Sequence, residues 1–129
     1  MSPTPLTLHR LPGRWAVCRL AADAPLPAWA LAGAWFSVTR TADELSVVCA
    51  EAEAPETGQA ERGWLALRVA GPLDFGLVGV LAALAGPLAQ AGVSLFAVST
   101  YDTDYVLIKA EREAEAVRAL TAAGHRLAG

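Results

Sequence analysis

Asp102 and Asp104 stand two residues apart in the stretch STYDTD at 99–104. At the mouth of one pocket, two such carboxylates could hold an ammonium group or a basic side chain through charge-assisted hydrogen bonds. Asp102 also reads as a turn residue bonding its own backbone. A second turn, LDFGLVG at 73–79, leads into an apolar helical pattern. Free N–H groups and the dipole at a helix N-terminus suit a carboxylate, and Gly76 and Gly79 permit close backbone approach. Asp74 reads either as the N-cap of that helix, bonding an N–H near Gly76 or Leu77, or as a ligand contact. Phe75 and Tyr101 would wall such a pocket, or else belong to the core.

Other chemistries lack their residues. Cys18 and Cys49 are far apart with no CxxC pair, so they read as buried reduced thiols. His9 and His125 are isolated from each other and from acidic ligand patterns, which assigns them surface or capping roles. There is no nucleophile–base pair, no metal set and no GxxxxGK loop, so neither catalysis, metal nor cofactor is expected. Trp15, Trp29, Trp35 and Trp64 are interleaved with apolar residues, as packing groups are.

Net charge is −3 with Lys109 the single lysine, which argues against nucleic acid and against an anionic membrane as partners. Hydrophobic residues at 54% and charged residues at 18% exclude a disordered chain. No basic segment leads into an apolar one at the N-terminus, so a soluble cytoplasmic location is expected. Residues 75–101 carry no charge, but Gly86-Pro87, Gly92 and acidic flanks at Asp74 and Asp102 argue for a helix followed by a buried strand.

The elements that must position these residues occur twice. FSVTRTADELSVVCAE at 36–51 aligns without a gap on FAVSTYDTDYVLIKAE at 96–111, an offset of 60. WAVCRL at 15–20 matches WLALRV at 64–69, at an offset of 49. The first copy is therefore about three helical turns shorter between its matching blocks. The second copy reads as strand 64–70, a helix with a stripe at Leu77, Val80, Leu81, Leu84, Leu88 and Ala91, and strands 93–100 and 104–109. A helix over 111–123 with Ala114, Val117, Leu120 and Thr121 inward follows, then a short strand at 126–127. Pro87 removes one backbone donor and predicts a local irregularity. Residues 111–118 carry a solvated charged face with weak ion pairs. The first copy reads as strand 15–20, a stub helix at 26–32 and hairpin strands 35–40 and 45–50, then a polar linker at 52–62. A strand at 6–11 has no assigned place.

Residues 73–108, LDFGLVGVLAALAGPLAQAGVSLFAVSTYDTDYVLI, resemble the helix–strand–turn–strand core of the aspartate-kinase type of ACT domain. STYDTD and FSVTRT at 36–41 are similar to the tandem-ACT subfamily of small stand-alone bacterial proteins and cytosolic arginine sensors. The resemblance implies an α+β fold of two ferredoxin-like βαββαβ repeats, antiparallel sheets with helices on one face, the first repeat with a shortened first helix. The repeats would occupy 1–62 and 63–129. It also implies an amino acid bound at the interface of the repeats, with Asp104 at the acidic contact position and Thr100 as a polar contact. Ser37 and Val38 match hydroxyl and backbone contacts. The remaining contacts fall at Asp74, Phe75, Gly76, Leu77, Gly79 and Tyr101.

The leading expectation is a non-catalytic amino-acid sensor, with a homodimer and a protein target as its partners. The alternative is an interaction or oligomerisation module with a vestigial pocket, because the lost helical turns uncover one sheet face. A small enzyme is the third class, and no residue pattern supports it.

Overall fold

The computed structural model describes residues 5–71 and 78–128. The chain forms two compact units: Gly13–Trp64, and a split unit of Met1–Pro12 with Leu65–Gly129, into whose sequence the first is inserted.

The inserted unit contains β2 (Trp15–Leu20), β3 (Ser37–Arg40), β4 (Leu45–Ala50) and the first part of β5 (Gln59–Val69), in the antiparallel order β3-β4-β2-β5. Alternation along the strands puts Ala16, Cys18, Leu45, Val47 and Cys49 on one buried face with Ala30 and Ala54. On β2 the residue preceding Ala16 points the other way, and Trp15 packs edge-on against Trp35, with ring centroids 5.9 Å apart. The expected stub helix is a single 3-10 turn, Ala28–Leu31. Pro25 and Pro27 fix φ and remove donors there. Arg40 holds the preceding segment by donating to the carbonyls of Ala22 and Ala24.

β5 begins at Gln59, inside the stretch that reads as linker. Gln59 and Glu61 are exposed, so the strand is held by backbone pairing to Arg19 and Val17 and shows no apolar alternation at its start. Its register shifts opposite Trp15 and Val17, where Gly63 takes φ +78° and donates its N–H to Glu51 Oε1 at 2.7 Å. Glycine suits this bulge because other residues are strained at positive φ.

The split unit contains β1 (Thr7–Arg10), the rest of β5, α1 (Val80–Gln90), β6 (Phe96–Ser99), β7 (Asp104–Lys109), α2 (Glu113–Ala122) and β8 (Arg126–Ala128). Its strand order is β8-β1-β5-β7-β6. The order β8-β5-β7-β6 is that of a ferredoxin-like βαββαβ unit, and β1 wedges into it, antiparallel to β5 and parallel to β8. The segment at 6–11 thus has its place. Leu8, Leu65, Leu67, Val69, Val106 and Ile108 of the sheet pack with Leu84 and Leu88 of α1 and Ala116 and Leu120 of α2.

Two helix faces differ from the sequence reading. Leu81 is 36% exposed, while Leu84 and Leu88 carry the contact. On α2, Ala114 and Thr121 are exposed and Ala116 is buried beside Leu120. A 3-10 turn at Ala110–Arg112 precedes α2. Its three residues per turn shift the phase relative to an α-helix continuous from Glu111.

Pro87 lies inside α1 and cannot donate to the Ala83 carbonyl. His125, 3% exposed, supplies the partner instead: its Nε2 is 2.9 Å from the Ala83 oxygen. Its Nδ1 accepts the Leu6 N–H at 3.1 Å. These partners assign the neutral Nε2–H tautomer. The imidazole is therefore a capping group, buried rather than on the surface.

Candidate functional site

The β6–β7 hairpin closes on the pair Ser99 and Asp104. Within its loop the Thr100 N–H donates to the Thr103 carbonyl at 2.8 Å, and the Thr103 N–H donates to Thr100 Oγ1 at 3.3 Å. The Thr100 hydroxyl donates to the Thr103 carbonyl at 3.0 Å. Thr103 is buried and its hydroxyl donates to the Val69 carbonyl at 2.7 Å, which ties the loop to the end of β5. Sequence reasoning assigned no role to Thr103. The side-chain bonds closing the turn come from Thr100 and Thr103, not from Asp102. Asp104, half-buried, is the first residue of β7. Tyr101 is 79% exposed at the loop, so its ring stands outward rather than walling a closed cavity.

β5 ends at Val69, ahead of the stretch 73–79 in the sequence. Asp74, Phe75, Gly76 and Leu77 lie outside the described residues. Gly79 is described: it is the N-cap of α1 at φ +79°, a position the sequence reading offered to Asp74. Its carbonyl accepts the Ala83 N–H at 2.8 Å, and a glycine at the N-cap has no side chain with which to cap the helix.

The inserted unit contains a turn built in the same way. Thr41 donates its N–H to the Glu44 carbonyl at 2.9 Å, and the Glu44 and Asp43 N–H groups donate to Thr41 Oγ1, both at 3.1 Å. Thr41 and Thr100 are 59 residues apart, as are the starts of β4 and β7 and of the 3-10 turns Glu51–Glu53 and Ala110–Arg112. The structural repeat is thus one residue out of step with the match of letters at 60. A one-residue slip exchanges the faces of a strand. At 59, the core residues Val47 and Cys49 fall on the core residues Val106 and Ile108. The counterpart of Asp104 is then Leu45, fully buried, so a carboxylate at the first residue of the returning strand is found at one turn of the two.

Ser37 and Val38 lie on β3, opposite Val48 and Val47. Val38 packs against the inserted unit's core, which leaves a ligand the Ser37 hydroxyl and the strand backbone. In that core, burial pushes the Cys49 thiol up to about 12, and the adjacent Cys18 sulfur adds to the effect. Burial also raises Cys18, opposed by its hydrogen bond with Cys49 and by the charge of Arg62. Thiols held protonated in this way are poor nucleophiles and metal ligands. Among the described residues, no three His, Cys, Asp or Glu side chains gather to hold a metal. None of the described helices is long and apolar enough to cross a membrane.

The model of the ACT domain matches residues 59–122, and a separate N-terminal-domain model matches residues 13–57. The crystal structure of protein Atu0741 from Agobacterium tumefaciens is similar at 34% identity and a TM-score of 0.92, over 98% of this chain and 94% of that one. A protein of unknown function from Vibrio cholerae, VC0802, described as a possible transport protein, shares the fold at 21% identity and a TM-score of 0.68, over 92% and 89% of the two chains. The regulatory subunit of aspartate kinase from Thermus flavus does so at 15% identity and a TM-score of 0.55, over 95% and 99%. A search of curated proteins found no match. Over residues 59–122 the chain carries an ACT domain, in a fold shared almost end to end with Atu0741.

Proposed function

We propose that the chain is a non-catalytic regulatory protein that binds an amino acid at the two turns of its ACT domain. The observation that carries this reading is the asymmetry of the hairpin turns: built alike, they differ in that Asp104 stands where the other has Leu45. A buried leucine serves packing, whereas a half-buried carboxylate at a strand start serves an ammonium group or a basic side chain. Asp104 takes that end of the ligand and Thr100 a polar contact. The turn containing Asp74, Phe75, Gly76, Leu77 and Gly79 takes the carboxylate at the entry to α1. Ser37 and Val38 belong to the proposal through the subfamily resemblance alone, and Tyr101 as an aromatic in the Asp104 turn. Ligand preference for one arrangement of the protein, or of a homodimer in the cytoplasm, would shift an equilibrium that a protein target reads.

A thermal-shift screen against the twenty amino acids tests this. A ligand at 100 times its dissociation constant stabilises by about 2.7 kcal/mol, a rise of several degrees. The reading requires a selective rise that disappears in Asp104→Ala while the unliganded melting temperature stays within about one degree. A rise that survives the substitution refutes the assigned site. A second reading, an interaction module, is favoured by Leu26, Leu31 and Phe36, which are 38–47% exposed around the 3-10 turn that replaces a helix. Ligand-independent dimerisation in light scattering, lost in Leu31→Asp, with no amino acid binding, would establish it instead.

A further inference from the structure

Away from the turns, the split unit holds a cavity of about 180 Å³ between α2 and the sheet. Leu65, Leu67 and Ile108, all nearly inaccessible, form its floor, with Val117 and Leu127 as its sides. Arg10 and Glu113 complete it at the solvent end, where Arg10 Nη1 lies 2.7 Å from Glu113 Oε2 with both side chains partly exposed. Arg10 reaches this place because β1 is wedged between β5 and β8.

An apolar floor below paired opposite charges selects its occupant. An apolar cavity of about 150 Å³ suffices for benzene, so this one takes a compact aliphatic or single-ring group. A simple carboxylate would meet Arg10 but also face Glu113, and a simple amine would have the converse problem. A molecule with both charges on the carbon bearing the apolar group satisfies both side chains. An exposed ion pair is weakly held, so such a molecule can enter between the partners.

We propose that this cavity is a second ligand site, for a small zwitterion with an apolar side chain of the leucine or phenylalanine kind. Arg10 binds the carboxylate, Glu113 binds the ammonium, and the side chain enters between α2 and β5. It shares no residue with the Asp104 site, and either site can fail without the other.

The test is titration of full-length protein, ¹³C-labelled at its Leu and Val methyls, with L-leucine, L-phenylalanine, 4-methylpentanoate and isopentylamine. The expected result is saturable shifts of the Val117 and Leu127 methyls with at least one of the amino acids. Binding should be about tenfold weaker or worse for the acid and the amine, and for Arg10→Gln and Glu113→Gln. Both substitutions change partly exposed groups and leave the fold intact, and Val117→Trp fills the cavity as a further check. Asp104→Ala should leave these shifts unchanged. No shift at Val117 or Leu127 with about 10 mM of either amino acid overturns the proposal. Equal binding of 4-methylpentanoate, or loss of the shifts in Asp104→Ala, overturns it as well.

Discussion

Replacing His125 by phenylalanine keeps a ring in its place and removes both of its hydrogen bonds. The Ala83 carbonyl loses its donor because Pro87 has none to give, and the Leu6 N–H loses its acceptor. A buried polar group left without a partner costs about 1–3 kcal/mol. Ala83 and Leu6 are only partly buried, so water recovers some of that, and the low end applies to each. The expected loss is about 2 kcal/mol, a fall of about 6–10 °C in melting temperature for a chain of this length. Pro87→Ala then isolates the cause. The substituted residue regains a backbone N–H that donates to the Ala83 carbonyl along the helix, so the His125→Phe cost should fall to about 1 kcal/mol, the share belonging to Leu6. Urea unfolding of the four proteins of this cycle, extrapolated linearly to water, measures the coupling. An identical cost in both backgrounds would refute the pairing of Pro87 with His125.

Thr103→Val keeps the shape of the side chain and strands the Val69 carbonyl. It should cost about 1–2 kcal/mol in urea unfolding and weaken ligands that depend on Asp104. Gly79→Ala meets no atom within 4 Å, so any loss is backbone strain at φ +79°. That loss should be about 1–2 kcal/mol, and a neutral result would show that the N-cap adopts an ordinary φ. Cys18 and Cys49 should resist iodoacetamide in native protein near pH 8.5 and react when unfolded in guanidinium; fast native alkylation would contradict their burial. Because folding raises the Cys49 value from 9.0 to about 12, its contribution to stability is complete below pH 9 and is lost as pH rises from there toward 12. Cys49→Ala should flatten the alkaline decline, and an unchanged pH profile would count against that shift.

Much of the fold is legible because local patterns carry it. The WAVCRL and WLALRV segments are β2 and the end of β5, and STYDTD is a hairpin turn as its residues suggest. The register of the repeat is off by one because apolar letters match as well at 60 as at 59, while hydrogen bonds of Thr41 and Thr100 decide the matter. Long-range pairing is what a local pattern lacks: β1 has ordinary strand residues, and nothing in them names β5 and β8 as neighbours. The start of β5 is hidden by exposed polar side chains. Pro87 signals an orphaned carbonyl four residues earlier, and a histidine amid LTAAGHRLAG is the donor a closer reading could have sought. At the site, Asp104 is visible by its charge, whereas Thr103 is silent because a threonine looks the same whether it bonds water or Val69.

The wedged position of β1 also bears on how the protein assembles during synthesis. Residues Gly13–Trp64 can complete their strand pairing before β8 has been made. β1, although made first, has to wait: its antiparallel neighbour arrives with Leu67–Val69 and its parallel neighbour only with Arg126–Ala128. The bond from Leu6 to His125 spans 119 residues. Until β8 arrives Leu8, fully buried in the finished protein, is carried on a strand with one open edge. Such a strand is open to pairing with other chains, and contacts so distant in sequence form slowly. A chain cut short before β8 would leave a sticky amino-terminal strand rather than a smaller stable domain. Emergence of β8, not of the first repeat, is the moment at which this fold closes.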